Sequence, residues 1–196
     1  VKAVLYGSAR FGKMGRYGNP MRYAALLLAL GLFCMDAAPA AADARADFTL
    51  ATDAAKRGKP DDALRLVTRA IDAKELDGRE LADMHYFRAD LYGQAGKLDE
   101  ALADYAKTIE IMPDHSGAFH DRALIHAQQK KFQEALDDLS RAQFLIPNSP
   151  LPHFNRGRVY EMMGKRPEAI NEYKKARALA PRMKEPQEAL RRLGVR

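Results

Sequence analysis

The chain has 196 residues, enough for one domain, with 30% charged residues, no Trp and a formal charge of +6. That charge is unevenly placed: Lys2, Arg10, Lys13, Arg16 and Arg22 against Asp36 put +4 on residues 1–42, leaving about +2 on the rest. A nearly neutral body lacks the basic footprint of a nucleic-acid binder, so no nucleic-acid partner is expected.

Residues 1–20 carry Gly7, Gly12, Gly15, Gly18 and Pro20 without helical or strand period, and are read as an upstream extension, with Met21 the expected start. Met21-Arg22-Tyr23 then opens an apolar run, Ala24–Phe33, extended by Cys34 and Met35. Ala38-Pro39-Ala40 and Ala40-Ala41-Ala42 both fit a small-residue cleavage site. This order predicts a signal peptide over 21–42, and the run is too short to span a bilayer comfortably. The expectation is export to a bacterial periplasm, with no stable membrane span after cleavage. Cys34, the single cysteine, lies inside the leader, so the mature chain would carry no disulfide.

Asp43–Asp47 leads into the body. Its pattern is clearest over Ser116–Ser149. Ala118, Phe119, Arg122, Ala123 and His126 recur at three- and four-residue steps, and Phe132, Ala135, Leu136, Leu139, Ala142, Gln143 and Ile146 do so again. The polar run Gln128–Lys131 separates them and Pro147 ends the second, which predicts a helix–turn–helix hairpin. The hairpin recurs every 34 residues: Ala101, Ala135 and Ala169 align, as do Pro113, Pro147 and Pro181. Three repeats without gaps are expected at 82–115, 116–149 and 150–183. A degenerate one precedes them at 44–81, with Glu75 at the proline site and four extra residues around Asp77-Gly78.

Small residues recur at Ala89, Ala123 and Gly157 and at Ala101, Ala135 and Ala169, which would let two helix backbones approach closely. A Leu there would overpack the crossing by about 1–3 kcal/mol. Gly96 and Gly164 sit between helices where positive φ is expected, and Lys130 replaces them in the third repeat at about 1 kcal/mol if the backbone is left-handed there. Arg88, Arg122 and Arg156 share one repeat position, and Asp104, Asp138 and Glu172 share another, which predicts a ladder of ion pairs between helices. As exposed pairs they would contribute about 0–1 kcal/mol each. Lys184–Arg196 reads as a further helix with Ala189, Leu190 and Leu193 apolar, suited to cap the array at 184–196.

A 34-residue helix–turn–helix period with Ala, Tyr or Phe, and Pro at fixed offsets resembles the tetratricopeptide repeat, and its match covers 44–196. The resemblance implies an all-α, right-handed α-solenoid of antiparallel helix pairs. It implies that first helices line a concave groove for a peptide or protein segment. Projected groove positions are Phe48, Tyr86, His120 and Phe154 in one row, and Thr52, Asp90, Leu124 and Arg158 in a second. Asp121 and Asn155 flank the first row, and Glu161 and Met162 lie deeper. An aromatic track gripping an apolar or Pro-containing peptide is one expectation; rings packed within the array are the other. The Lys/Asn/Arg carboxylate clamp of some family members is not reproduced: no fifth position carries Lys and no ninth carries Asn.

The five histidines show no i, i+4 pair with a third ligand, and nothing resembles a nucleophile elbow, phosphate loop or zinc frame. Adjacent acids such as Asp137-Asp138 point in different directions on a helix. The reading is a protein-interaction scaffold, not an enzyme, with no metal and no cofactor and an unknown protein or peptide partner. Alternatives are an envelope chaperone or assembly factor, and a structural protein self-associating through its convex face or cap.

Overall fold

In the computed structural model the described residues are 43–195. The expected extension, signal peptide and Cys34 lie outside them, as does Arg196. Nine helices and no strand occur among the described residues. They are α1 (Ala44–Lys56), α2 (Pro60–Asp72), α3 (Gly78–Gln94), α4 (Leu98–Ile111), α5 (Ser116–Gln128), α6 (Phe132–Leu145), α7 (Pro150–Met162), α8 (Arg166–Leu179) and α9 (Lys184–Arg192). The all-α expectation holds. No helix among them is long and apolar enough to cross a membrane.

Local chemistry sets the helix ends. Asp43 and Ser149 accept from the backbone N–H of Arg45 and Leu151, capping α1 and α7, while His115 Nδ1 accepts from the Ala118 N–H at the start of α5. Pro60, Pro150 and Pro167 sit in first turns, where the missing N–H costs no helical bond. Each first helix of a pair ends on a left-handed residue: Gly58 (φ 70°), Gly96 (74°), Lys130 (61°) and Gly164 (73°). The next N–H in each turn reaches back five residues, as from Lys97 to Tyr92 O (2.9 Å) and from Lys131 to His126 O (2.8 Å). That geometry satisfies the last helical carbonyls and turns the chain tightly.

The pairs α1–α2, α3–α4, α5–α6 and α7–α8 pack closely, and each second helix also packs on the first helix of the next pair. At the crossings Ala51 meets Ala63, Ala89 meets Ala101, and Ala123 meets Ala135, all fully buried; Ala169 is buried likewise in the fourth pair. A larger side chain fills the space beside each: Val67, Tyr105, Leu139 and Tyr173, at most 3% exposed. Because no pair covers its own apolar face, stacking is what buries it, and α9 closes the last face with Pro186, Ala189 and Leu190.

The first repeat departs from the others. Its four additional residues, Gly78–Leu81, form an extra turn at the start of α3, which has 17 residues where α5 and α7 have 13. Glu80 in that turn takes a fork of two hydrogen bonds from Arg45 (2.8 and 2.9 Å), and Glu75 accepts from the Ala44 N–H (3.1 Å).

The ion-pair ladder has all three rungs, bidentate at the first two and looser at the third. Arg88 binds Asp104 bidentately (2.6 and 2.8 Å) and Arg122 binds Asp138 bidentately (2.8 and 2.7 Å). At the third, Arg156 Nε lies 3.8 Å from Glu172, whose carboxylate is taken instead by His153 (2.7 Å) and Lys175 (2.8 Å). The bidentate rungs are not exposed pairs. The side chains of Asp104 and Asp138 are 6% and 10% exposed, so breaking either pair leaves a largely desolvated charge and costs more than the roughly 0–1 kcal/mol expected of a surface pair. In α1–α2 the same crossing is bridged with the signs exchanged, Asp47 on the first helix and Arg69 on the second.

Candidate functional site

The first helices α3, α5 and α7 leave two recesses between them. The α3–α5 recess, about 340 Å³, is lined by Asp90, Gln94, Tyr105, Asp121, Leu124 and Gln128 among others. The α5–α7 recess, about 430 Å³, is lined by Leu124, Ala127, Gln128, Asn155, Arg158, Val159 and Met162. Leu124 and Gln128 belong to both, so the two form a continuous groove. Period explains the lining: Asp90 and Gln94, Leu124 and Gln128, and Arg158 and Met162 are each four residues apart and share a helix face. Six of the twelve projected positions thus lie in this groove: Asp90, Asp121, Leu124, Asn155, Arg158 and Met162. Gln94 and Gln128 were not singled out from the sequence, although the step from the ninth position to the thirteenth, used for Met162, also reaches them.

The other six lie elsewhere: Thr52 donates to the Thr49 carbonyl, Glu161 accepts from Tyr173 and Arg192, and the remaining four are the rings. Phe48 meets Phe87 edge-on at 5.5 Å and lines a separate recess of about 240 Å³ with Arg45, Leu76 and Glu80. Phe154 packs on Tyr173 at 5.6 Å in the core next to α9. Tyr86 packs between Tyr105 and His115 (5.8 and 4.6 Å). Its edge and that of His120 line a third recess, about 330 Å³, with Ile146, Leu151 and Pro152. The rings fill space within the array and make no continuous track.

A hydrogen-bonded chain crosses three repeats beside the groove. Tyr86 donates to Asp121 (2.5 Å), whose other oxygen faces His120 Nδ1 (2.9 Å). His120 Nε2 faces the Asn155 amide nitrogen (2.7 Å), and Arg158 donates to the Asn155 oxygen (3.3 Å). The order is self-consistent when Nδ1–H of a neutral His120 donates to Asp121 and Nε2 accepts from Asn155. A parallel bond runs from the Tyr105 hydroxyl to Asp90 (2.5 Å).

These contacts set the electrostatics. Burial raises the Tyr86 and Tyr105 phenols well above the ordinary range, and the carboxylate each one touches raises it further, so both stay protonated and donate. Asp90 is raised by burial and by neighbouring Asp121, against the lowering hydrogen bond from Tyr105. Burial also works to raise Asp121, but the hydrogen bonds from His120 and Tyr86 outweigh it and hold the group below its usual value. No cluster of three or more His, Cys, Asp or Glu suited to a metal occurs among the described residues.

Comparison with known proteins agrees with this architecture. A family model described as tetratricopeptide repeat matches residues 48–116 and again 88–150, and a second model of the same description matches 150–183. No curated protein matches the chain. Similar solved structures include YrrB, described as a TPR protein with an unusual peptide-binding site (17% identity, 78% of this chain and 76% of that chain, TM-score 0.70). They also include MamA from Desulfovibrio magneticus RS-1 (19% identity, 76% and 82%, TM-score 0.69). A third is the first TPR domain of Spaghetti (RPAP3) bound to the HSP90 peptide SRMEEVD (25% identity, 60% and 94%, TM-score 0.57). Family models spanning more than half the chain, over helix pairs that stack in register, show that the chain belongs to the tetratricopeptide repeat family.

Proposed function

We propose that the chain is a protein-interaction module that holds an extended segment of another protein in the groove formed by α3, α5 and α7. The observation that carries the reading is the continuity of the two recesses through Leu124 and Gln128, with an apolar floor and polar groups along its length. Such a groove takes alternate side chains of a partner while its polar groups fix register. Two relatives of the same fold are described as binding peptides, which supports this use of the architecture. The test is affinity capture by the mature protein, comparing wild type with Leu124→Arg, which fills the junction of the recesses. Loss of capture with unchanged helical circular dichroism is expected; capture that survives would sink the groove reading.

Export to the periplasm completes the proposal. It rests on the Arg22–Ala42 pattern of a basic residue, an apolar run and small residues, and mass spectrometry of the mature N-terminus tests it. Self-association is a second reading favoured by Phe144, a large ring 71% exposed on α6, and by Ile146 at 48%. A mass by light scattering that rises with concentration, and ceases to rise in Phe144→Ser, would support it.

A further inference from the structure

We propose that the groove selects its occupant by charge order: a basic side chain in the α3–α5 recess, an apolar side chain over Leu124, and a carboxylate at Arg158 in the α5–α7 recess. The partner is thus an extended protein segment of mixed charge. This rests on the groove reading above and adds the chemistry of what is bound.

The inference starts from which charges the fold has already matched. Asp104, Asp138 and Asp47 each meet an arginine, and Glu161 is taken by Arg192 (2.6 Å). The groove is different. Asp90 meets no cation among the described residues, and its one hydrogen-bond partner is the neutral Tyr105 hydroxyl. Asp121 is served by Tyr86 and the His120 ring, and it shares a recess with Asp90. Two carboxylates therefore face one recess without a formal cation in contact. At the other end Arg158 is exposed, touches only the Asn155 oxygen at 3.3 Å, and makes no ion pair among the described residues. Leu124 lies between them and lines both recesses. An acid end, an apolar middle and a basic end are complementary to a segment carrying the opposite order, and a uniformly charged segment would set like charges together at one end.

The solvated-face alternative is that Asp90 and Arg158 merely face water. Asp90 argues against it. Its carboxyl sits where burial, then Asp121, disfavour the charged form, so the fold is strained electrostatically by a residue that Asn could replace in the same shape. A carboxylate that lines a recess, carries this cost and meets no cation, serving inside the fold only the Tyr105 hydroxyl that Asn would also accept, is the pattern of a binding residue.

The experiment measures fluorescence anisotropy with labelled synthetic peptides of three kinds: Lys, Leu and Glu in that order on alanine spacers of graded length, the same with Lys at both ends, and the same with Glu at both ends. The mixed peptide is expected to bind about tenfold more tightly than either uniform one, the equivalent of one charge-assisted pair. Asp90→Lys should move the preference to the Glu-ended peptide and Arg158→Glu to the Lys-ended one. Asp90→Asn, which keeps the shape, should lose about tenfold on the mixed peptide while raising thermal stability at neutral pH. Uniform peptides that bind as tightly as the mixed one, or rankings unmoved by the two reversals, overturn the charge order. If Leu124→Arg still abolishes that unselective binding, the groove itself stands. If no peptide binds the wild type, the charge order falls, and the capture comparison decides the groove alone.

Discussion

At single residues the structure separates charges that hold the fold from charges that face the groove, and pH tells them apart. Asp104 is nearly buried and accepts two hydrogen bonds from Arg88 with His85 beside it. Burial acts to raise its pKa, but those partners outweigh burial and hold it below the ordinary carboxylate value. A folded value below the unfolded one, about 3.9, gives stability that is complete above the unfolded value and lost as pH falls through the folded value. Asp104→Asn should therefore cost about 3 kcal/mol at neutral pH by leaving Arg88 unpaired in a mostly dry site. It should also flatten the acid limb of stability measured by urea denaturation across pH. Asp90 has the opposite sign: a raised folded value contributes stability below the unfolded value and loses it as pH rises through the folded one. Glu80→Gln, at the exposed Arg45 fork, is the control expected to leave the midpoint unmoved. Lys130 is a separate case. Its φ of 61° is the left-handed geometry that Gly58, Gly96 and Gly164 adopt freely, so Lys130→Gly should stabilise by about 1 kcal/mol in thermal or urea denaturation. Its side chain is exposed, which leaves the backbone as the source of the change.

At the level of helices, the fourth pair shows how one crossing is tuned. A Cβ on Gly157 would stand 2.5 Å from Tyr173 Cε1 and 2.6 Å from Cδ1, inside contact distance. The second pair holds Ala89 with Tyr105 at the equivalent crossing, so the Tyr173 ring has settled onto the glycine where Tyr105 has not. Gly157→Ala gains about 1 kcal/mol of helix propensity but must displace a fully buried ring whose hydroxyl is held by Glu161 at 2.5 Å. Displacement at about 1–3 kcal/mol should win, giving a net loss in urea denaturation. Tyr173→Leu in that background, which copies Ala123 with Leu139, should recover part of it. This crossing also marks how far the sequence could be read. The helix pairs were legible because Ala101, Ala135 and Ala169 recur at one interval, and an interval survives whatever the side chains between do. Whether the rings line the groove or pack within the array was not legible, since the same spacing serves both. Tyr86 and Phe154 share a repeat position and both pack on the tyrosine of their own second helix, Tyr105 at 5.8 Å and Tyr173 at 5.6 Å, and only Tyr86 has the hydroxyl that reaches Asp121. The exchanged bridge of the first pair was equally hidden: Asp47 and Arg69 fall at the positions of His85 and Lys107 in the second repeat, which bond to Asp104 and Glu110 and not to each other.

Across the array, backbone contact runs mainly between helices adjacent in sequence, and alternate helices meet through fewer contacts, as α5 and α7 do along the groove and α3 and α5 do through Tyr86 and Asp121. Stability in such a chain is close to a sum of pair terms and nearest-neighbour interfaces, so damage at one end should stay there. The C-terminal face tests this. Leu190 is 1% exposed and sits with Ala189 against Ala169 and Tyr173, closing the last pair from solvent. Leu190→Ala removes the largest apolar group of a nine-residue helix and should cost about 2 kcal/mol, the low end for a buried leucine because a short terminal helix can settle into the gap. Hydrogen exchange should then quicken in α8 and α9 and remain as before in α1 to α4. The groove lies between α3 and α7, so groove ligands should keep most of their affinity in this variant. A uniform rise in exchange over all the helices would instead mean that the array opens as one unit, and that holding a partner at the centre depends on the cap.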